Sequence, residues 1–73
     1  MTIDDYRIHF GWSKSKLAAE ADIDMNTLKR AIDGVPIYRA TAGKIANAIS
    51  IELLRRGQPA IRYTDLAGLA FAD

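Results

Sequence analysis

The chain contains no cysteine and only one histidine, and it has no long run of apolar residues. Without cysteine it has neither disulfide bonds nor a thiolate metal site. Its longest apolar run is far below the roughly 20 residues that a membrane-spanning helix needs. Asp4 and Asp5 lie where a secretory signal peptide carries positive charge, so no signal peptide is expected. By elimination, these absences predict a cytoplasmic protein with no membrane partner.

Groups that perform catalysis are also scarce. His9 is the only histidine, and no serine has a base at a plausible spacing. The acidic pairs Asp4 with Asp5 and Asp22 with Asp24 lie at expected helix starts, where helix capping explains them. The sequence therefore predicts no enzyme activity, no catalytic residues, no metal site and no cofactor.

The length and the charge distribution limit the number of domains and the kind of binding partner. At 73 residues there is room for a single domain, residues 1–73, whose modest core usually needs well-formed helix packing or a partner. The net charge is only +1, but residues 1–24 sum to −2, residues 25–44 to +3 and residues 45–73 to zero. The positive excess in the middle favours a nucleic-acid surface. An ordinary solvated face of charged residues is the alternative.

Residues 13–34 have the pattern of two short helices joined by a tight turn. The apolar residues of each helix share one side, with Leu17, Ala18 and Ala21 in the first and Met25, Leu28, Ala31 and Ile32 in the second. Between the helices, Asp22 tolerates a left-handed backbone and Asp24 can cap the second helix. The sequence therefore predicts a helix-turn-helix.

Further helices are expected on both sides of this motif. The first follows Thr2, which with Asp5 forms a helix-start pattern, and it ends before Gly11. The fourth spans about residues 39–56, where apolar residues recur at intervals of three and four and mark a buried stripe. The expected fold class is all-α, a small bundle of four to five short helices.

Residues 61–73, the C-terminal segment, are apolar and are not needed for a four-helix core. Thr64 is expected to cap a last short helix in this segment. Its apolar side chains can pack back on the domain, form a homodimer face or receive another protein. The candidate dimer or partner face consists of Ile61, Leu66, Leu69 and Phe71.

The order of small and aliphatic residues follows a known spacing. The matching positions are Leu17, Ala18, Ile23, Leu28, Gly34 and the run Lys44-Ile45-Ala46-Asn47-Ala48-Ile49. Over about residues 10–51 the chain thus resembles the lambda-repressor-like, or XRE-type (Cro/C1-like), helix-turn-helix family of DNA-binding domains. The family often has glycine where this chain has Asp22, and glutamine where it has Lys14.

The resemblance implies a transcriptional regulator of the phage or mobile-element kind that binds specific double-stranded DNA, with residues 25–33 in the major groove. The outer-face residues expected to read bases are Met25, Asn26, Thr27, Lys29 and Arg30. Those expected to contact phosphates are Lys14, Ser15, Tyr38, Arg39, Thr41 and Lys44. For Tyr38 the alternative is a cover over the core, and for Thr41 it is a helix cap.

A single small motif buries too little surface for tight and specific binding, so we expect a homodimer on DNA. The alternative function is a protein-interaction module, such as an antitoxin, antiactivator or adaptor, that uses the C-terminal segment on a partner protein. The small net charge and the apolar surroundings of Phe71 motivate this alternative.

Overall fold

The computed structural model describes all residues from 1 to 73. Four α-helices follow one another along the chain: α1 (Ile3–Phe10), α2 (Lys14–Ala21), α3 (Met25–Ile32) and α4 (Arg39–Arg55). A single 3-10 turn, Tyr63–Asp65, comes after them, and no β-strand is present apart from two isolated bridges. The all-α prediction is confirmed. None of the helices has the length and apolar character that would let it span a bilayer.

The helix boundaries are set by local capping contacts. Thr2 and Asp5 form the expected capping box before α1: the Asp5 amide donates to the Thr2 hydroxyl at 3.0 Å, and the Thr2 amide donates to the Asp5 carboxylate at 2.9 Å. Gly11 ends α1 with a left-handed backbone, φ 73°. The Ser13 hydroxyl then accepts from the Lys16 amide at 3.0 Å and begins α2. Each contact satisfies a helix-end group that would otherwise lack a partner.

The core lies where α2 packs against both α3 and α4. The largest side chains that are fully buried there are Leu17, Leu28, Ile45 and Ile49. Buried alanines on α2 and α4 let these helices approach closely, because a methyl group takes little room. This packing fixes the direction in which α3 turns its polar side.

The prediction of a last helix from Thr64 through Phe71 is wrong. Thr64 lies inside the 3-10 turn instead of capping a helix, and the Asp65 carboxylate accepts from the Arg62 amide at 2.9 Å. Beyond the turn the backbone bonds to distant parts of the chain: the Ala67 amide donates to the Met1 carbonyl at 3.0 Å. An extended path that satisfies backbone groups in this way replaces the helical hydrogen bonds.

The C-terminal segment packs back on its own domain. Near its start, the Ser50 hydroxyl on α4 accepts from the Ile61 amide at 3.0 Å and donates to the Ile61 carbonyl at 2.9 Å. Near its end, Ile37 forms a parallel bridge with Phe71. Leu66, expected on a dimer or partner face, is instead buried in the core, since only 6% of it is exposed. The other three residues of that face, Ile61, Leu69 and Phe71, are half-buried against the core.

Candidate nucleic-acid interface

The turn between α2 and α3 has the geometry that the sequence predicts. Asp22 adopts a left-handed backbone, φ 56° and ψ 46°, and it is the one residue other than glycine that does so. The half-buried Ile23 packs against the core, while its amide donates to the Ala18 carbonyl at 3.1 Å. The Asp24 carboxylate accepts from the Thr27 amide at 2.9 Å and begins α3. Two eight-residue helices are therefore joined by three residues.

α3 has one buried side and one exposed side. Leu28 and Ala31 are buried, whereas Asn26, Lys29 and Arg30 are exposed. None of these three exposed side chains makes a hydrogen bond or an ion pair within the chain. The exposed side is therefore open to a ligand along most of the helix.

The two remaining candidates for base reading are less accessible. Met25 is half-buried and packs against the core, and Thr27 is half-buried beside the Asp24 cap. The sequence places Met25 both in the apolar set of α3, with Leu28, and among the outer-face residues expected to read bases. The structure shows that the first turn of this helix also contributes to the core, so Met25 presents only part of its side chain.

The ten lysines and arginines divide into two equal groups. Five form ion pairs within the chain: Arg7 with Asp4, Lys16 with Glu20, Arg39 with Asp73, and both Arg55 and Arg56 with Glu52. The other five form none: Lys14, Lys29, Arg30, Lys44 and Arg62. Four of the five unpaired cations are residues that the sequence analysis placed at a DNA surface. Arg62 is the exception.

The first turn of α4 is open in an unusual way. Tyr38 is the N-cap residue, yet its side chain makes no capping bond and is 63% exposed, so it does not cover the core. Thr41 is the third residue of the helix and is not its cap. The amides of Ala40 and Thr41 have no acceptor within the chain. Lys44, one turn further on, is exposed and unpaired.

The remaining phosphate candidates are at the first turn of α2 and on Arg39. Lys14 and Ser15 are exposed and make no side-chain bond. Arg39 differs from the sequence expectation, because its guanidinium binds Asp73 and stacks on Phe71, 4.6 Å from the ring centre. The sequence gives no sign of these contacts. Asp73 lies 34 positions from Arg39, and Phe71 belongs to the same distant segment, so no local pattern predicts them.

Comparison with family models, with curated proteins and with solved structures finds no match to this chain.

Acid is expected to weaken the caps of α1 and α3. Hydrogen bonds from the Thr27 hydroxyl, and then from its amide, lower the pKa of Asp24 below its ordinary value of 3.8. The amide and hydroxyl of Thr2 likewise lower the pKa of Asp5. Because the folded pKa is the lower one, the stabilising contribution is complete above 3.8 and is lost as the pH falls through the lowered pKa.

The check is the melting temperature, followed by circular dichroism while the pH falls from neutral through about 4 to 3, where carboxylates titrate. Asp24→Asn retains a cap acceptor that does not titrate in this range. Its melting temperature is expected to fall less steeply with acid than that of the unchanged protein. If the melting temperatures of the two proteins fell equally with acid, the Asp24 cap would not contribute to the acid dependence of stability.

Proposed function

We propose that this protein is a sequence-specific regulator of transcription that binds double-stranded DNA and inserts α3 into the major groove. The observation that carries the proposal is the exposed side of α3. Asn26, Lys29 and Arg30 lie there with no partner in the chain, opposite the buried Leu28. Asparagine pairs with adenine through two hydrogen bonds, and lysine or arginine pairs with guanine.

The surroundings of α3 supply sequence-independent binding. Lys14 and Ser15 at the start of α2, and Lys44 near the start of α4, are exposed and unpaired. Tyr38 and the free amides of the first turn of α4 add hydrogen-bond donors, which suit phosphate oxygens at a helix N-terminus. Contacts of this kind fix the orientation of the protein on the duplex while α3 reads the bases.

The proposal includes a second copy of the chain. One eight-residue recognition helix covers few base pairs, and two copies that read half-sites about one helical turn apart gain both affinity and specificity. An apolar groove between α4 and the C-terminal segment, lined by Ile51, Leu54 and Ile61, supports self-association. Ile51 and Leu54 are among the large apolar side chains that the domain leaves exposed.

The test is selection of bound duplexes from a random DNA pool at low salt and again near physiological salt. Phosphate contacts alone fade steeply with salt, whereas base reading leaves an enriched sequence at both concentrations. We expect a palindromic motif whose half-sites are about 10 base pairs apart. The absence of enrichment at either salt would overturn the proposal and would favour the alternative of a protein-interaction module.

A further inference from the structure

The start of α4 is contacted by Asp73, an acidic residue that lies 34 positions further along the chain. The Arg39 amide, the first of α4, donates to Oδ1 of Asp73 at 3.0 Å. The Arg39 guanidinium donates to the main-chain carbonyl of Asp73 and lies 3.5 Å from the same Oδ1. One carboxylate therefore sits between the positive end of a helix and an arginine, as a bound anion does.

This arrangement is unlike the start of the other three helices. α1, α2 and α3 are each capped by the residue that directly precedes them, Thr2, Ser13 and Asp24. The preceding residue of α4, Tyr38, has no capping bond, and the cap comes from Asp73 instead. A cap that is local in sequence stays in place for as long as its helix does. A cap carried by a distant segment can leave while the helix remains formed.

Besides the bonds that Asp73 itself makes to Arg39, contacts of the neighbouring residues of the C-terminal segment hold Asp73 in place. The Ile37 amide donates to the Ala70 carbonyl at 2.9 Å, and the Ala72 amide donates to the Ile37 carbonyl at 2.8 Å. Phe71 lies under the Arg39 guanidinium, and Tyr63 meets the Phe71 ring edge-on with 5.6 Å between ring centres. These contacts place the Asp73 carboxylate at the start of α4, the one helix start that lacks a local cap.

We propose that Asp73 is an internal mimic of a DNA phosphate, and that the C-terminal segment competes with the DNA backbone for Arg39 and the first turn of α4. This inference rests on the proposed function and adds a regulatory contact to it. The Arg39 amide has a single hydrogen to donate, and two anions held this close repel each other, so binding of a backbone phosphate there displaces the Asp73 carboxylate. With Asp73 in place, the start of α4 offers a phosphate Lys44 and the amides of Ala40 and Thr41. When Asp73 is displaced, Arg39 is also available to the phosphate.

The first experiment measures duplex binding by Asp73→Asn. Because the ion pair is exposed, its loss is expected to tighten binding only about three- to fivefold. The plot of log affinity against log salt is expected to keep nearly the same slope, because the phosphate contacts Arg39 in both proteins once Asp73 has been displaced. Asp65→Asn is the matched control, since it removes the same charge from the same segment, keeps an acceptor for the Arg62 amide and leaves Arg39 paired. Equal gains from the two substitutions would overturn the proposal.

A second experiment needs no DNA. Inorganic phosphate is added to each protein while the Arg39 amide is followed by nitrogen-proton NMR. We expect phosphate to shift this resonance in Asp73→Asn and to leave it nearly unchanged in the original protein and in Asp65→Asn. Equal shifts in all three proteins would overturn the proposal that Asp73 mimics a phosphate. A shift confined to Asp73→Asn, together with no duplex binding by any protein, would retain the anion contact and refute the DNA-binding function.

Discussion

Leu28→Ala is expected to lower the free energy of unfolding by about 3 kcal/mol, within the range for leucine truncation in a core. Leu28 is fully buried on the inner side of α3. The loss combines the removed apolar contact with the cavity that remains. A domain of this length has a total stability of roughly 4 to 11 kcal/mol. The variant is therefore expected to unfold at a much lower urea concentration, as followed by the helical signal in circular dichroism.

Ile8→Ala is the control for this prediction. It truncates an aliphatic side chain of the same size in a helix, but Ile8 is 66% exposed and lies outside the proposed self-association groove. Its effect is expected to stay within about 0.5 kcal/mol, as for most surface substitutions. Similar losses from the two substitutions would mean that Leu28 is not buried in the core. The side of α3 with Asn26, Lys29 and Arg30 would then not be the one that faces solvent.

Asn26→Ala and Lys29→Ala are expected to weaken DNA binding in a way that depends on the DNA sequence. Loss of a good base contact costs about 1 to 3 kcal/mol, or roughly 5- to 150-fold, at sites that carry the matching base. At sites with another base in that position the loss is expected to be much smaller. Lys44→Ala is instead expected to weaken all sites about equally and to reduce the salt slope by about 0.9. The measurement is a set of titrations against the selected site and its single-base variants.

Arg55→Ala provides the charge control for Lys29→Ala. It also removes one positive charge from an exposed position, but Arg55 is at the far end of α4 and is paired with Glu52. We expect a small loss that is the same at every site. If Asn26→Ala and Lys29→Ala were as blind to sequence as Lys44→Ala, base reading by α3 would be refuted, although binding through phosphates would stand.

The helices and their boundaries could be predicted because their causes are local. Thr2, Ser13 and Asp24 each accept from an amide three residues further along the chain, and the sequence alone placed Thr2 and Asp24 at helix starts. The left-handed residue of the turn, Asp22, was recognised because few residue types accept that conformation at low cost. The buried stripe of α4 follows from its spacing alone.

The C-terminal segment could not be predicted because its causes are distant. Thr64 and the apolar residues after it fit a short helix, but the segment bonds to Ile37 and to Met1, and a local pattern carries no information about these partners. The same limit affected the candidate interface. Arg39 was recognised as a cation at a helix start, and its pairing with Asp73 depends on where the segment ends up in space.

For the candidate interface, periodicity separated the two sides of α3 but not the degree of exposure within a side. Asn26, Lys29 and Arg30 are exposed as expected, and Met25 is half-buried because the core extends to the first turn. Whether each cation is paired also depends on the fold. That Lys29 and Arg30 have no partner in the chain could therefore be learned only from the structure.

Ser50 has a consequence for the lengths of chain that this fold tolerates. Its hydroxyl bonds to both the amide and the carbonyl of Ile61, which fixes that residue along the axis of α4. Ile37 fixes the segment again at Ala70 and Ala72. Between these two anchors the number of residues is set, because an insertion would move Leu66 out of the core. The exposed loop of residues 57–60 precedes both anchors, and there an insertion can lengthen the chain without moving either one.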